Sequence, residues 1–239
     1  MDHRSWEARP RGAASVFEIL RADIIALHLR PGAVLSRADL QERFGVSSTP
    51  VRDALMRLQE EGLVEVFPQH ATLVARIDVA RARRAQFLRR SVEVEIVRTL
   101  AGRTAAAVAA RLRGLIRQQA ALARAGEHQA FTEADHAFHR TLYDAADVPD
   151  LWALVRRHGG HIDRLRRLHL PVAGKMREIV AHHGAIVDAV ERGSAAAAEE
   201  AMRAHLSRSL DFVDALVDRH PDYFPPAGAA PPRAASDAA

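Results

Sequence analysis

Leu35-Ser-Arg-Ala-Asp-Leu-Gln-Glu-Arg-Phe-Gly-Val-Ser-Ser-Thr-Pro-Val-Arg-Asp-Ala-Leu-Met-Arg-Leu-Gln-Glu-Glu-Gly-Leu-Val-Glu-Val66 carries the densest run of local structural signals in the chain. Leu40 and Phe44 give a short helix one apolar stripe, and Gly45 supplies a residue able to take positive φ where that helix stops. A second helix starts almost at once. Ser47 suits an N-cap, Pro50 is tolerated in a first turn whose amides lack intrahelical partners, and Val51, Ala54, Leu55 and Leu58 recur at helical spacing up to Gly62. The remaining face carries Ser48, Thr49, Arg52, Asp53 and Arg57, hydroxyls and forked guanidiniums able to meet base edges or phosphates. Arg37, opening the preceding helix, is a further candidate contact. On spacing alone, a helical hairpin with a solvated polar face is an equal reading.

Upstream, Val16, Ile19, Leu20, Ile24 and Leu27 keep a 3.6-residue period from Ser15 until Arg30-Pro-Gly32, a third helix for the same core. Downstream, Val64-Glu-Val-Phe67 and Thr72-Leu-Val-Ala75 are β-prone runs separated by Pro68-Gln-His-Ala71, which predicts a two-stranded wing. Gly45 through Val64 resembles the signature of GntR-family winged-helix transcription regulators. In that family the Arg of Thr-Pro-Val-Arg contacts the operator, a role the resemblance places on Arg52. Ser48 stands where the family usually has Arg, and His70 and Ala71 stand where an Arg and a Gly usually mark the wing tip. Gln69 and His70 thereby become the candidate wing contacts.

The 239 residues, 48% hydrophobic, suffice for two modest domains. The absence of Cys excludes disulfides and thiolate metal sites. Residues 1–14 hold charges and no apolar run, and no stretch reaches the roughly 18 uninterrupted apolar residues of a membrane span, so a cytoplasmic location is expected. Net charge is +4, unevenly spread. Residues 1–75 hold nine Arg against ten acids, whereas 76–124 hold twelve Arg against three. A globally basic DNA-binding domain is absent, so nucleic-acid binding rests on where individual arginines point.

From Asp78 onward the sequence turns Ala- and Arg-rich with little β signal. The expected organisation is a flexible arm (1–14), a winged helix-turn-helix of three helices plus a two-stranded wing (15–77), an all-α bundle (78–219) and a disordered Pro- and Ala-rich tail (220–239), a mainly α fold. Helices are expected at roughly 79–101, 104–126, 129–146, 149–168, 175–192 and 194–218.

Asp135 and His139, four apart, share one helical face, and His183 and His205 fall on the apolar stripes of two later segments. Thirteen histidines guarantee some chance pairs, so on spacing alone core histidines outweigh metal ligands. The order Asp-x-x-x-His, His, His resembles the FCD domain that follows GntR-type winged helices in the FadR subgroup, over residues 15 to about 216. The resemblance implies that Asp135, His139, His183 and His205 hold a divalent metal at the floor of a bundle pocket, with His182 a rival to His183. Neutral imidazoles with one carboxylate suit a transition ion, Zn²⁺ first, with Ni²⁺ or Mn²⁺ as alternatives. An open position on it would suit a small organic acid. Arg89 and Arg90 sit where the family has effector-binding arginines, and a guanidinium grips a carboxylate in bidentate fashion.

The leading expectation is a non-enzymatic repressor, a homodimer on a palindromic double-stranded operator, responsive to a small carboxylate. Two other readings stay open. One is a regulator whose metal is purely structural, and the other is a metal-dependent all-helical hydrolase with Glu133, Glu178 or Asp188 as base.

Overall fold

The computed structural model describes residues 12–67, 70–101, 106–207, 210 and 212–226. Three helices, α1 (Ala13–Ile25), α2 (Arg37–Phe44) and α3 (Ser48–Glu60), enclose Val16, Phe17, Leu20, Ile24, Leu40, Phe44, Val51, Leu55 and Leu58. Ser36 caps α2 by accepting from the Asp39 amide at 3.3 Å, and Gly45 ends it at φ 63°. Ser47 occupies the N-cap position of α3, but its side chain makes no capping bond there.

Strands β1 (Val64–Phe67) and β2 (Ala71–Val74) pair antiparallel, with Val64 opposite Val74 and Phe67 opposite Ala71. The second strand thus starts one residue earlier than the sequence suggested. On its other side Leu35 N–H donates to Thr72 O and Val74 N–H to Ala33 O. The segment after Arg30-Pro-Gly32 therefore acts as a third strand-like edge.

Beyond Ile77 the described structure is helical: α4 (Val79–Ala101), α5 (Ala106–Ala125), α6 (His128–Ala145), α7 (Pro149–His158), α8 (Gly160–His169), α9 (Lys175–Glu191), α10 (Ala195–Ser207) and α11 (Val213–Arg219). The main bundle core joins α4, α5, α6, α9 and α10 through Val97, Leu100, Leu112, Phe138, Leu142, Ile186, Val190 and Met202. Two predicted helices are broken. The one at 149–168 divides at Gly159-Gly160, because α8 turns to meet the winged helix; a Cβ at Gly160 would lie 2.7 Å from Leu63 Cδ2. The one at 194–218 divides between Ser207 and Val213, where Phe212 stacks on His169 with ring centroids 3.6 Å apart.

The tail expected from residue 220 is corrected at its start. Pro221–Tyr223 form a 3-10 turn, Tyr223 O accepts from Ile77 N–H at 2.8 Å, and Phe224 is buried with Ile77, Ile162 and Leu216. Burying one aromatic ring offsets the poor packing of its Pro and Ala neighbours. Residues 1–11 of the expected arm and 227–239 of the tail lie outside the described residues.

Helix α8 is the joint between the two parts. His161 Nδ1 accepts from the Asp78 amide at 2.9 Å, so Nε2 carries the proton and donates to Gly62 O at 3.0 Å. Arg164, fully buried, donates to Ala75 O at 2.6 Å. Arg21 of α1 adds a strut, donating to Glu61 at 2.6 Å and to Arg156 O at 2.6 Å.

Candidate metal centre and nucleic-acid interface

Ser48, Thr49 and Arg52 lie exposed on α3, as the helical stripe of Val51, Ala54, Leu55 and Leu58 requires. The Arg52 side chain is 63% exposed, and its Nε stands 3.7 Å from Asp53 Oδ1, too far to tie it down. Arg57 departs from this face. Five residues on, about 140° round the helix, its Cζ sits 3.8 Å over the Phe17 ring. Met56, 52% exposed one turn after Arg52, occupies the place on the Arg52 face instead. The sequence signal for it was simple i+4 spacing. A thioether there is suited to a thymine methyl. Arg37 is exposed at the start of α2 and His70 at the wing tip, while Gln69 lies outside the described residues.

The four sequence-predicted ligands converge. Asp135 and His139 project from α6, His183 from α9 and His205 from α10, with relative exposures of 1, 0, 0 and 7%. One ring nitrogen from each histidine lies within 4.8 Å of the other two. Asp135 Oδ1 is 3.6 Å from His183 Nε2 and 3.9 Å from His139 Nε2, and the Nε2 atoms of His139 and His205 face each other at 3.3 Å. His182 is only half-buried beside this set, its ring 5.9 Å from that of His205.

The surrounding residues fix which nitrogen is free. Gln119 of α5 donates its amide N–H to Ala134 O at 3.1 Å, so its oxygen faces His183 Nδ1 at 2.8 Å and leaves the Nε2 lone pair pointing inward. Glu93 of α4 places a carboxylate oxygen 2.8 Å from His139 Nδ1, with the same result there. A carboxylate or carbonyl behind the far nitrogen is how metal-binding imidazoles are oriented. Arg89 donates to Glu93 at 2.7 Å, and the Tyr143 hydroxyl donates to the same Glu93 oxygen at 3.3 Å, so Arg89 braces the carboxylate behind His139. Arg90 lies on an outer groove with Phe87, Glu95 and Arg98, away from the centre. Neither Glu93 nor Gln119 was picked out from sequence. Glu93 carried a signal, since it follows Arg89 by four and shares the buried stripe of Val97 and Leu100.

Electrostatics favour a cation. Burial pushes His183 and His205 well below the usual histidine range, so both are neutral donors. Burial would raise Asp135, but the Arg166 guanidinium at 2.7 Å outweighs it, with help from the imidazoles, and holds the carboxyl well below the usual range. Glu93, likewise buried, is drawn down to about 2 by Arg89 and His139. Asp135 Oδ1 and His183 Nε2 have no hydrogen-bond partner. One shared proton can join His139 to His205, yet it leaves both of those atoms unsatisfied. A divalent ion satisfies all four donors at once, so the residues fit a metal. The bases a hydrolase would need are elsewhere: Asp188 pairs with Arg113, Lys175 reaches Glu178, and Glu133 is exposed.

Two cavities reach this centre. A cleft of about 190 Å³ lies between α1 and α6 to α8, with Asp135 and Arg166 at its inner end. A cavity of about 30 Å³ opens on the other side at His205, His182 and Lys175.

A winged helix with an exposed reading helix, joined through α8 to a bundle holding a metal-capable His triad, is the architecture of a DNA-binding transcription regulator. Residues 13–74 match the family of bacterial regulatory proteins described as gntR, and residues 86–208 match the FCD domain. The chain belongs to the GntR family of transcription regulators and carries an FCD domain. It is 38% identical over 206 residues, 86% of each chain, to an HTH-type transcriptional regulator in an unstable DNA locus of Streptomyces ambofaciens. It is 28% identical over 209 residues to the HTH-type transcriptional repressor RspR of Escherichia coli, covering 87% of this chain and 92% of that one. The solved structure of E. coli McbR/YncC shares the fold, with a TM-score of 0.72 at 18% identity, over 87% of this chain and 98% of that one. These families are transcription regulators, not enzymes. Among the described residues no helix is long and apolar enough to cross a membrane.

Proposed function

We propose that the protein is a homodimeric repressor that binds a short palindromic operator and is controlled by a small carboxylate acting beside a divalent metal. Residues 15–77 form the reader and 78–219 the sensor and dimerisation unit. A two-fold dimer presents two α3 helices to successive major grooves. Ser48, Thr49 and Arg52 meet base edges there, and Arg37, Arg57, Gln69 and His70 serve the backbone or the minor groove. The relative named as a repressor in E. coli supports the sign of regulation.

The observation that carries the sensing half of this reading is α8. Arg166 on it grips Asp135, while His161 and Arg164 on the same ten-residue helix grip the carbonyls of Gly62 and Ala75. A displacement at the donor set therefore has one rigid element through which to reach the reader. Three neutral imidazoles and one carboxylate suit Zn²⁺. Bound there, the ion would supply a fixed positive charge, with Asp135, His139, His183 and His205 holding it.

Fluorescence anisotropy on an operator fragment selected by the protein from random DNA tests this. Titrations compare Zn²⁺-loaded with chelated protein, each with and without small carboxylic acids. An active acid is expected to weaken operator binding roughly 5- to 150-fold, the usual span of allosteric coupling, and to do so only in the metal-loaded form. DNA affinity indifferent to both metal and acid would leave a structural metal and no effector.

A further inference from the structure

We propose that Met56 is a base-reading residue of the operator interface and that the base it reads is a thymine, through the C5 methyl group in the major groove. The proposal rests on the operator reading above and adds to it a determinant of sequence.

Helical geometry carries Met56 to that face. Four residues after Arg52, it lies about 40° round α3 and about 6 Å further along, so Ser48, Arg52 and Met56 form one ridge. All three are exposed, while Val51, Ala54, Leu55 and Leu58 are buried on the reverse side. Met56 is the one large hydrophobic residue of α3 that stands in solvent. A single exposed methionine is ordinary on a protein surface. This one continues the ridge of Ser48 and Arg52, so it belongs to the same contact surface.

The chemistry of the face selects the base. Arg57 is turned away over the Phe17 ring, and Asp53, about 100° round the helix from Arg52, carries a charge that DNA phosphates repel. Gln59 is the last residue but one of α3, about 10 Å beyond Arg52, whereas recognition helices contact bases with their N-terminal part. A thioether has no donor and is at most a weak acceptor, so it does not match the hydrogen-bonding edges of adenine, guanine or cytosine. Thymine alone among the four bases presents a methyl group in the major groove. An unbranched, polarisable side chain adapts its shape to such a group. Ser48 and Thr49 are short, so the first turn can enter the groove far enough for Arg52 and Met56 to reach the base edges.

Arg52 and Met56 then have different parts. The guanidinium suits the O6 and N7 of a guanine and is attracted to any DNA, whereas the thioether adds little to affinity at large and discriminates one base pair. The separation of about 6 Å along the helix corresponds to about two base-pair steps. The thymine is therefore expected within about two base pairs of the Arg52 contact in each half-site.

The test uses the full-length protein and the operator it selects from random DNA. Each thymine in turn, in both half-sites, is replaced by deoxyuridine, which removes only the methyl group. Wild type, Met56→Leu and Met56→Gln are compared by fluorescence anisotropy. At one thymine per half-site the replacement is expected to weaken binding by wild type and Met56→Leu about fifteenfold, the effect of two methyl groups no longer buried, and to leave Met56→Gln unchanged. Selection repeated with Met56→Gln is expected to exchange that thymine for adenine, whose N6 and N7 a glutamine meets in bidentate fashion, and to keep the rest of the site. A wild type indifferent to every thymine methyl, penalties that all persist in Met56→Gln, or an unchanged selected sequence in that variant would overturn the assignment and leave the operator reading intact. A Met56→Gln protein that selects no sequence would overturn a single-base role as well. Failure of the wild type to select any sequence would sink the operator reading and the Met56 assignment together.

Discussion

The reader and the sensor distribute their working residues in opposite ways. On α3, Ser48, Thr49, Arg52 and Met56 stand in solvent on one helix face, while the fold is held by the reverse face of the same thirteen residues. In the bundle the proposed ligands are part of the core: Asp135, His139, His183 and His205 come from three helices and are buried, with Phe138 against the rings of His139 and His183. Among the described residues, the buried titratable side chains all fall from Arg89 onward, and none belongs to the winged-helix core. The difference teaches that function and stability are separable in the reader and inseparable in the sensor.

The sharpest test of that contrast is His183→Ala. It deletes a donor, opens a cavity against Phe138 and leaves Gln119 and Asp135 short of a partner, so a loss of about 3 kcal/mol is expected along with most of the bound metal. Elemental analysis and denaturant titration read the two losses. A variant with full metal occupancy would refute the ligand assignment.

Arg52→Ala should do the reverse. Operator affinity is expected to fall about a hundredfold, one lost guanidinium contact in each half-site, with an unfolding midpoint matching wild type. A shift in stability comparable to that of His183→Ala would break the proposed separation.

The smallest effect is graded by pH. In chelated protein His161, His183 and His205 have native values pushed below 6.5, chiefly by burial, so they stay neutral in the folded state while the unfolded chain takes up protons as pH falls through 6.5. Unfolding is therefore favoured on acidification. Between pH 7 and 5.5 the expected loss is about 1 kcal/mol for each of these histidines. Denaturant titrations of chelated protein at the two pH values check it; unchanged stability would mean the three rings are not held neutral.

The same contrast governs how much was legible in the sequence. The reader is local, so Leu40, Phe44, Gly45 and the stripe of α3 sufficed to place it; what spacing did not show is that Phe17, forty residues earlier in the chain, draws the Arg57 guanidinium off the Arg52 face. The Asp135–His139 pair was legible because both residues share one helix. Glu93, Gln119 and Arg166, on three other helices, act through tertiary contacts that no spacing rule links to it. Arg89 was placed by resemblance among effector-binding arginines, and its ion pair with Glu93, one turn later and buried, is a contact that the resemblance did not supply. The helix break at Gly159-Gly160 and the burial of Phe224 both arise where α8 and its surroundings meet the other domain, a demand absent from either segment alone.

Leu63 rests directly above the bare backbone of Gly160, with its side chain fully buried. For anyone building chimeras this joint behaves as a keyed fitting. A winged helix borrowed from another regulator will seat on this bundle only if it brings a side chain that fits over that glycine and carbonyls where Gly62 and Ala75 now offer theirs. A graft lacking the key is expected to bind DNA yet no longer answer to its sensor.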